Sequence, residues 1–168
     1  MKEWNERSKE EANILNPAFI SIIISQCIKG YIKEKNENAP YVLPFLIVPF
    51  ILHKQTRNEI PSKISIQLST WIKKPEMAEI KISYPERVRS ISPYIKEGLI
   101  FAMAHDIIKI EDSDKLSLDT KKIGISKKNE ESLTDEVIDC YKKSEFCGRW
   151  FAKVGKIETL MTLLGVKP

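Results

Sequence analysis

Two short segments carry the densest polar chemistry of this chain. His53-Lys54-Gln55-Thr56-Arg57 sets three potential cations within five residues, and Gly148-Arg149-Trp150-Phe151 puts a guanidinium beside an indole. A guanidinium is a planar fork of donors that suits carboxylate or phosphate, and Trp and Arg dominate the binding energy of protein interfaces. His53, Lys54, Arg57, Arg149 and Trp150 are therefore candidates for a partner interface. Each has a plainer reading beside it. HKQTR also suits a solvated helix end with Thr56 as a cap. Trp150 and Phe151 keep helical spacing with Cys147 and Val154, which suits packing of the last two helices. Gly148 costs about 1 kcal/mol relative to alanine inside a helix, a cost that is tolerable where another backbone passes close by.

A third cluster is KKIGISKK, with Lys121, Lys122, Lys127 and Lys128 in eight residues. These lysines could lie along nucleic-acid phosphates in a salt-dependent contact. NEE just downstream and EDSD at 111–114 oppose that, so a solvated loop is the alternative. Catalytic chemistry finds no foothold. There is no GxxxxGK[ST], GxSxG or HExxH pattern, and Cys147 has no histidine near it in sequence to activate it. His105-Asp106 suits a helix C-terminal cap facing solvent. Two distant histidines and three cysteines away from metal spacing imply no metal site and no cofactor. A protein without enzymatic activity is expected.

The wider composition sets the frame for these clusters. Over 168 residues, 42% are hydrophobic and 30% charged, with a net charge of +4. That is an ordinary globular mix with enough bulk for one core. The mild basic excess permits a weak, non-specific contact with DNA without requiring one. The charged start MKEWNERSKEE lacks the apolar core of a signal peptide. Residues 43–52 are uncharged, but a spanning helix needs about 20 apolar residues, so no membrane segment is expected. A cytoplasmic protein with free thiols follows.

The elements that must position the clusters are mostly helical. Asn16 caps a helix over 17–35 with Pro17 in its first turn. LPFLIVPFIL reads as a short, buried helix over 43–53, kinked at Pro49. Thr56 and Glu59 have capping-box spacing, and SIQLSTWIK (65–73) reads as another short helix. Ser83 and Glu86 form a second capping box that starts a helix running to about His105, bent or split at Pro93. The period then changes, and IIKIE, DSD and KLSLD predict a small β-hairpin over about 107–119. Helices over 134–154 and 157–164 close the chain. The expected fold is mainly α, a single domain over 1–168, with a winged-helix-like part at about 43–120 between flanking helices.

NPAF (16–19), LPFLIVPFILHKQTR (43–57), LSTWI (68–72), ERVRSISPYIKEGLIF (86–101), GRWFA (148–152) and LLGVKP (163–168) together resemble the middle component of bacterial three-component ABC systems. The resemblance runs from Asn13 to Pro168. It implies an ABC ATPase subunit of the chromosome-maintenance and repair type as one partner and an effector subunit as another, in defence against mobile elements. The expected function is a non-enzymatic adaptor between them, and the sequence leaves room for a homo-oligomer. The alternative is a stand-alone winged-helix DNA-binding protein or regulator, which would shift promoter DNA without the ATPase.

Overall fold

One helix organises the core. The computed structural model describes residues 6–112, 114–119, 121 and 133–167. After the short α1 (Lys9–Ile14), α2 (Pro17–Lys35) runs through the middle of the molecule. Asn16 Oδ1 accepts the Ala18 N–H at 2.8 Å, and Asn36 closes the helix in the left-handed region at φ 57°. Ile20, Ile23, Ile24, Cys27 and Ile28 of α2 are fully buried. Three helices cover it: α3 (Leu43–Leu52), α6 (Met77–Ala104) and α7 (Asp135–Ala152). The smaller α4 (Lys54–Asn58), α5 (Leu68–Trp71) and α8 (Ile157–Leu164) complete the helices among the described residues. Residues Glu11–Lys35 are long and apolar enough to cross a membrane by length and composition. A helix surrounded by protein on most sides has the same composition.

The closest approach in the fold is the crossing of α2 and α7. A Cβ placed on Gly30 would lie 2.1 Å from the Glu145 carbonyl oxygen, and one on Gly148 would lie 2.0 Å from the Cys27 carbonyl oxygen. Each glycine thus admits the backbone of the other helix. This is the close approach that the interior glycine of GRWF suggests.

The uncharged run 43–52 is a core helix, as its composition predicts. Of α3, only Phe45 and Leu52 are partly exposed, and Pro49 sits inside the helix. The next cap departs from expectation. His53, not Thr56, is the N-cap of α4: its Nδ1 accepts the Thr56 N–H at 3.2 Å, and Thr56 is buried. Downstream, α5 is a single turn rather than a helix over 65–73. Its start is delayed because Ile66 turns its carbonyl to the Trp150 indole N–H at 2.6 Å.

The long helix also corrects the sequence reading. α6 is one element of 28 residues that begins at Met77 and passes through both Pro85 and Pro93. Ser83 does not cap it. Its hydroxyl donates backward to the carbonyls of Glu79 and Ile80, both at 3.2 Å. Each proline removes one N–H, which frees the carbonyls of Lys81 and Arg89. Both residues are exposed, so water can take those bonds. Packing of Ile80, Tyr84, Val88, Ile95 and Leu99 on the core outweighs the local breaks.

The expected hairpin is present, as β2 (Ile108–Glu111) and β3 (Lys115–Leu118). A short strand missed by the sequence reading, β1 (Ala39–Pro40), pairs with the other edge of β3 and gives the antiparallel order β1-β3-β2. Ala39 lies opposite Leu116 and Pro40 opposite Lys115. The Tyr41 N–H bonds the Asp114 carbonyl at 2.7 Å, so the alternation of an antiparallel ladder puts Pro40 where no N–H is needed.

Candidate partner interface

HKQTR divides into a half that faces outward and a half drawn into the fold. Arg57 is 3% exposed. Its Nε donates to Asp139 at 2.9 Å, its Nη2 to Glu136 at 2.5 Å, and its Nη1 to the Ile51 carbonyl at 2.6 Å. Lys143 Nζ in turn donates to the Arg57 carbonyl at 2.8 Å. This guanidinium ties α4 to α7 and satisfies a carbonyl in the last turn of α3. Lys54 is exposed and His53 half-buried.

A residue from α6 completes the corner. Arg87 donates through Nη1 to Thr56 Oγ1 at 3.0 Å and through Nη2 to Ser83 Oγ at 3.1 Å. Thr56 Oγ1 also lies 2.7 Å from His53 Nδ1. Because that nitrogen accepts from the Thr56 backbone, the proton of the neutral imidazole belongs on Nε2. Burial first, then the charges of Arg87 and Arg57, push the His53 pKa below its ordinary value. Burial likewise lowers Arg87. The sequence reading did not single out Arg87. The available signal was its place one turn after Ser83 in the ERVR segment.

At the other segment the two candidates part. Trp150 is 1% exposed and meets Trp71 edge to face with ring centroids 5.2 Å apart. Arg149 lies at the surface of the α2–α7 crossing, where its Nε donates to Glu34 at 3.3 Å and Lys153 shares the same carboxylate at 3.1 Å. The hydrogen bond from Lys153 is the main cause that holds the Glu34 carboxyl below its usual range. A cleft of about 570 Å³ opens beside this segment, between residues 64–69, which lead into α5, and Trp150, Val154 and Leu163.

The remaining predicted positions are apart from both segments. Lys121 is exposed, with its backbone N–H on Asp119 Oδ1 at 3.1 Å. Lys122, Lys127 and Lys128 lie outside the described residues. His105 is exposed at the end of α6, stacked on Phe101 at 4.1 Å. Cys27, Cys140 and Cys147 are buried free thiols, and burial pushes all three up from their ordinary pKa.

The fold thus offers a polar corner with His53, Lys54 and Arg87, and a paired surface at Arg149. A family model described as ABC-three component (ABC-3C) system Middle Component 3 matches residues 4–168. No curated protein and no solved structure matches.

Proposed function

The chain belongs to the Middle Component 3 family of ABC-three component systems, and from that premise we propose that it is a non-enzymatic adaptor joining the system's ABC ATPase to its effector. Membership makes it one component that works with the others of the same system. The adaptor role, a repair-type ATPase as partner, defence against mobile elements and a cytoplasmic location are the finer reading. The observation that carries it is a family match along nearly the whole chain, 4–168. The corner at His53, Lys54 and Arg87 supports it, because it places cationic and donor groups where a partner can reach them.

Co-expression of the three components with a tag on this chain tests the proposal. The tagged chain should retain both the ATPase and the effector, and the two should separate when this chain is omitted. An ATPase–effector complex that forms equally well without it would overturn the adaptor role. So would robust ATP hydrolysis, nucleic-acid cleavage or proteolysis by the isolated chain that vanishes on changing one polar residue. Promoter DNA shifted by the chain alone, persisting at high salt, would favour a regulator instead.

A further inference from the structure

Arg87 differs from Arg57 in what holds it. Arg57 is matched by Glu136 and Asp139. Arg87 is fixed by two hydroxyls, Thr56 and Ser83, and among the described residues no carboxylate pairs with it. The hydroxyls orient the fork without neutralising it, and the other N–H groups of the guanidinium keep their donor capacity. Through Thr56 Oγ1 the same fork is linked to His53, whose Nδ1 is occupied and whose Nε2 carries the proton. Beyond those two hydroxyls, no acceptor among the described residues takes the Arg87 Nε–H or the His53 Nε2–H, and neither nitrogen is closed off from solvent, so the corner keeps donors from two side chains and one full positive charge.

We propose that Arg87 and His53 form a binding site for a single carboxylate, an Asp or Glu side chain of a partner protein. A group that only accepts is what such a donor set takes, and a charged guanidinium to carboxylate is among the strongest polar contacts. One negative charge balances Arg87 while His53 stays neutral, a state that burial and the two arginines favour. Nucleic acid fits less well, because the exposed charges of these elements are mixed in sign, Glu59, Glu79 and Glu86 standing among Lys54, Lys81 and Arg89, and a polyanion gains from a continuous positive surface. A polyanion would run over both signs, whereas one protein side chain need meet only the corner. The identity of the partner rests on the adaptor reading; the site itself does not.

The test uses the full chain at constant ionic strength, with the His53 ring and Arg87 Nε–H followed by NMR. Acetate should shift both signals saturably and raise the His53 pKa toward its ordinary value. Arg87→Gln should weaken acetate at least about tenfold, the loss of one charged hydrogen bond, in a chain whose NMR spectrum remains that of the folded protein. Arg87→Lys, which keeps the charge but not the fork, should fall between. Shifts that never saturate, or that persist in Arg87→Gln, would overturn the site. Inorganic phosphate or a short DNA duplex binding more than about tenfold tighter than acetate would overturn the carboxylate assignment, since one charged contact accounts for about that factor. The same variants are then measured against the ATPase and effector subunits. Loss of either partner in Arg87→Gln supports the protein-side assignment. Acetate binding with both partners held normally by Arg87→Gln overturns that assignment alone. Acetate binding by a wild-type chain that holds neither partner overturns the adaptor reading and leaves the site standing.

Discussion

Where α2 crosses α7, backbone lies on backbone: Gly30 and Gly148 leave no room for a Cβ, and Trp150 closes the end of the crossing with no face to water. Where α4 meets α6, side chains hold one another through hydroxyls, and His53, Lys54 and Arg87 keep polar groups at the surface. The two regions use similar ingredients to different ends. A guanidinium is buried and doubly matched at Arg57, surface-paired at Arg149, and held but not neutralised at Arg87. What decides its role is which partners the neighbouring helices bring within reach.

The contrast predicts large stability effects at the crossing and small ones at the corner. Trp150→Ala removes a buried ring and its hydrogen bond to Ile66, and should cost about 3–5 kcal/mol in denaturant unfolding. A loss under about 1 kcal/mol would mean that the crossing tolerates a cavity and that the contrast is weaker than drawn. Gly148→Ala should follow at about 3 kcal/mol, near the top of the range for overpacking, because the clash is with a carbonyl oxygen that cannot swing away. Gly98 is the control. Its added Cβ meets Ile20 Cγ2 at 2.5 Å, an atom of a side chain rather than of backbone but on a buried β-branched residue, so Gly98→Ala should cost less than Gly148→Ala, roughly 2 kcal/mol. Equal losses at the two glycines would refute the backbone-contact account.

At the corner, His53→Ala removes the cap of α4 and should cost about 1 kcal/mol. It should also change the response to acid. The folded His53 pKa lies below the ordinary 6.5, so between those two values the unfolded chain binds the extra proton. Stability contributed by neutral His53 is therefore present above pH 6.5, falls as pH drops below it, and levels off below the folded pKa. Unfolding measured from pH 8 to pH 5 should show that decline in the wild type and less of it in His53→Ala. The smallest effect is expected at Arg149→Ala. Its partner Glu34 is also held by Lys153, and a part-exposed pair contributes under about 1 kcal/mol. If thermal melting instead falls as far as in Trp150→Ala, Arg149 is structural. If melting holds while ATPase affinity drops, Arg149 belongs to the interface.

Much of the scaffold was legible in local sequence. Asn16-Pro17 and Thr134 cap helices, Gly165 ends the last one, and the apolar run at 43–52 forms a buried helix. The change of period after His105 marked the hairpin to within a residue or two. These signals depend on a few neighbouring residues, and the tertiary structure kept them. The misses share a cause of longer range. Ser83 and Glu86 have capping-box spacing, yet α6 starts at Met77 because its apolar face continues on both sides of Pro85 and packing outweighs one lost hydrogen bond. β1 is two residues long and exists because β3 offers it an edge.

The candidate residues divide along the same line. Sequence alone identified HKQTR and GRWF as the places to look, from residue type and spacing. It also placed a glycine where two backbones meet. It could not say which cations would be neutralised. Arg57 follows Thr56 and Arg87 stands one turn after Ser83, and no local pattern says which of the two will meet carboxylates. Glu136 and Asp139 reach Arg57 from about eighty residues away, whereas only hydroxyls reach Arg87. Charge pairing depends on distances of a few ångströms between elements far apart in the chain, so the fold had to form before one arginine was matched by carboxylates and the other held by hydroxyls alone.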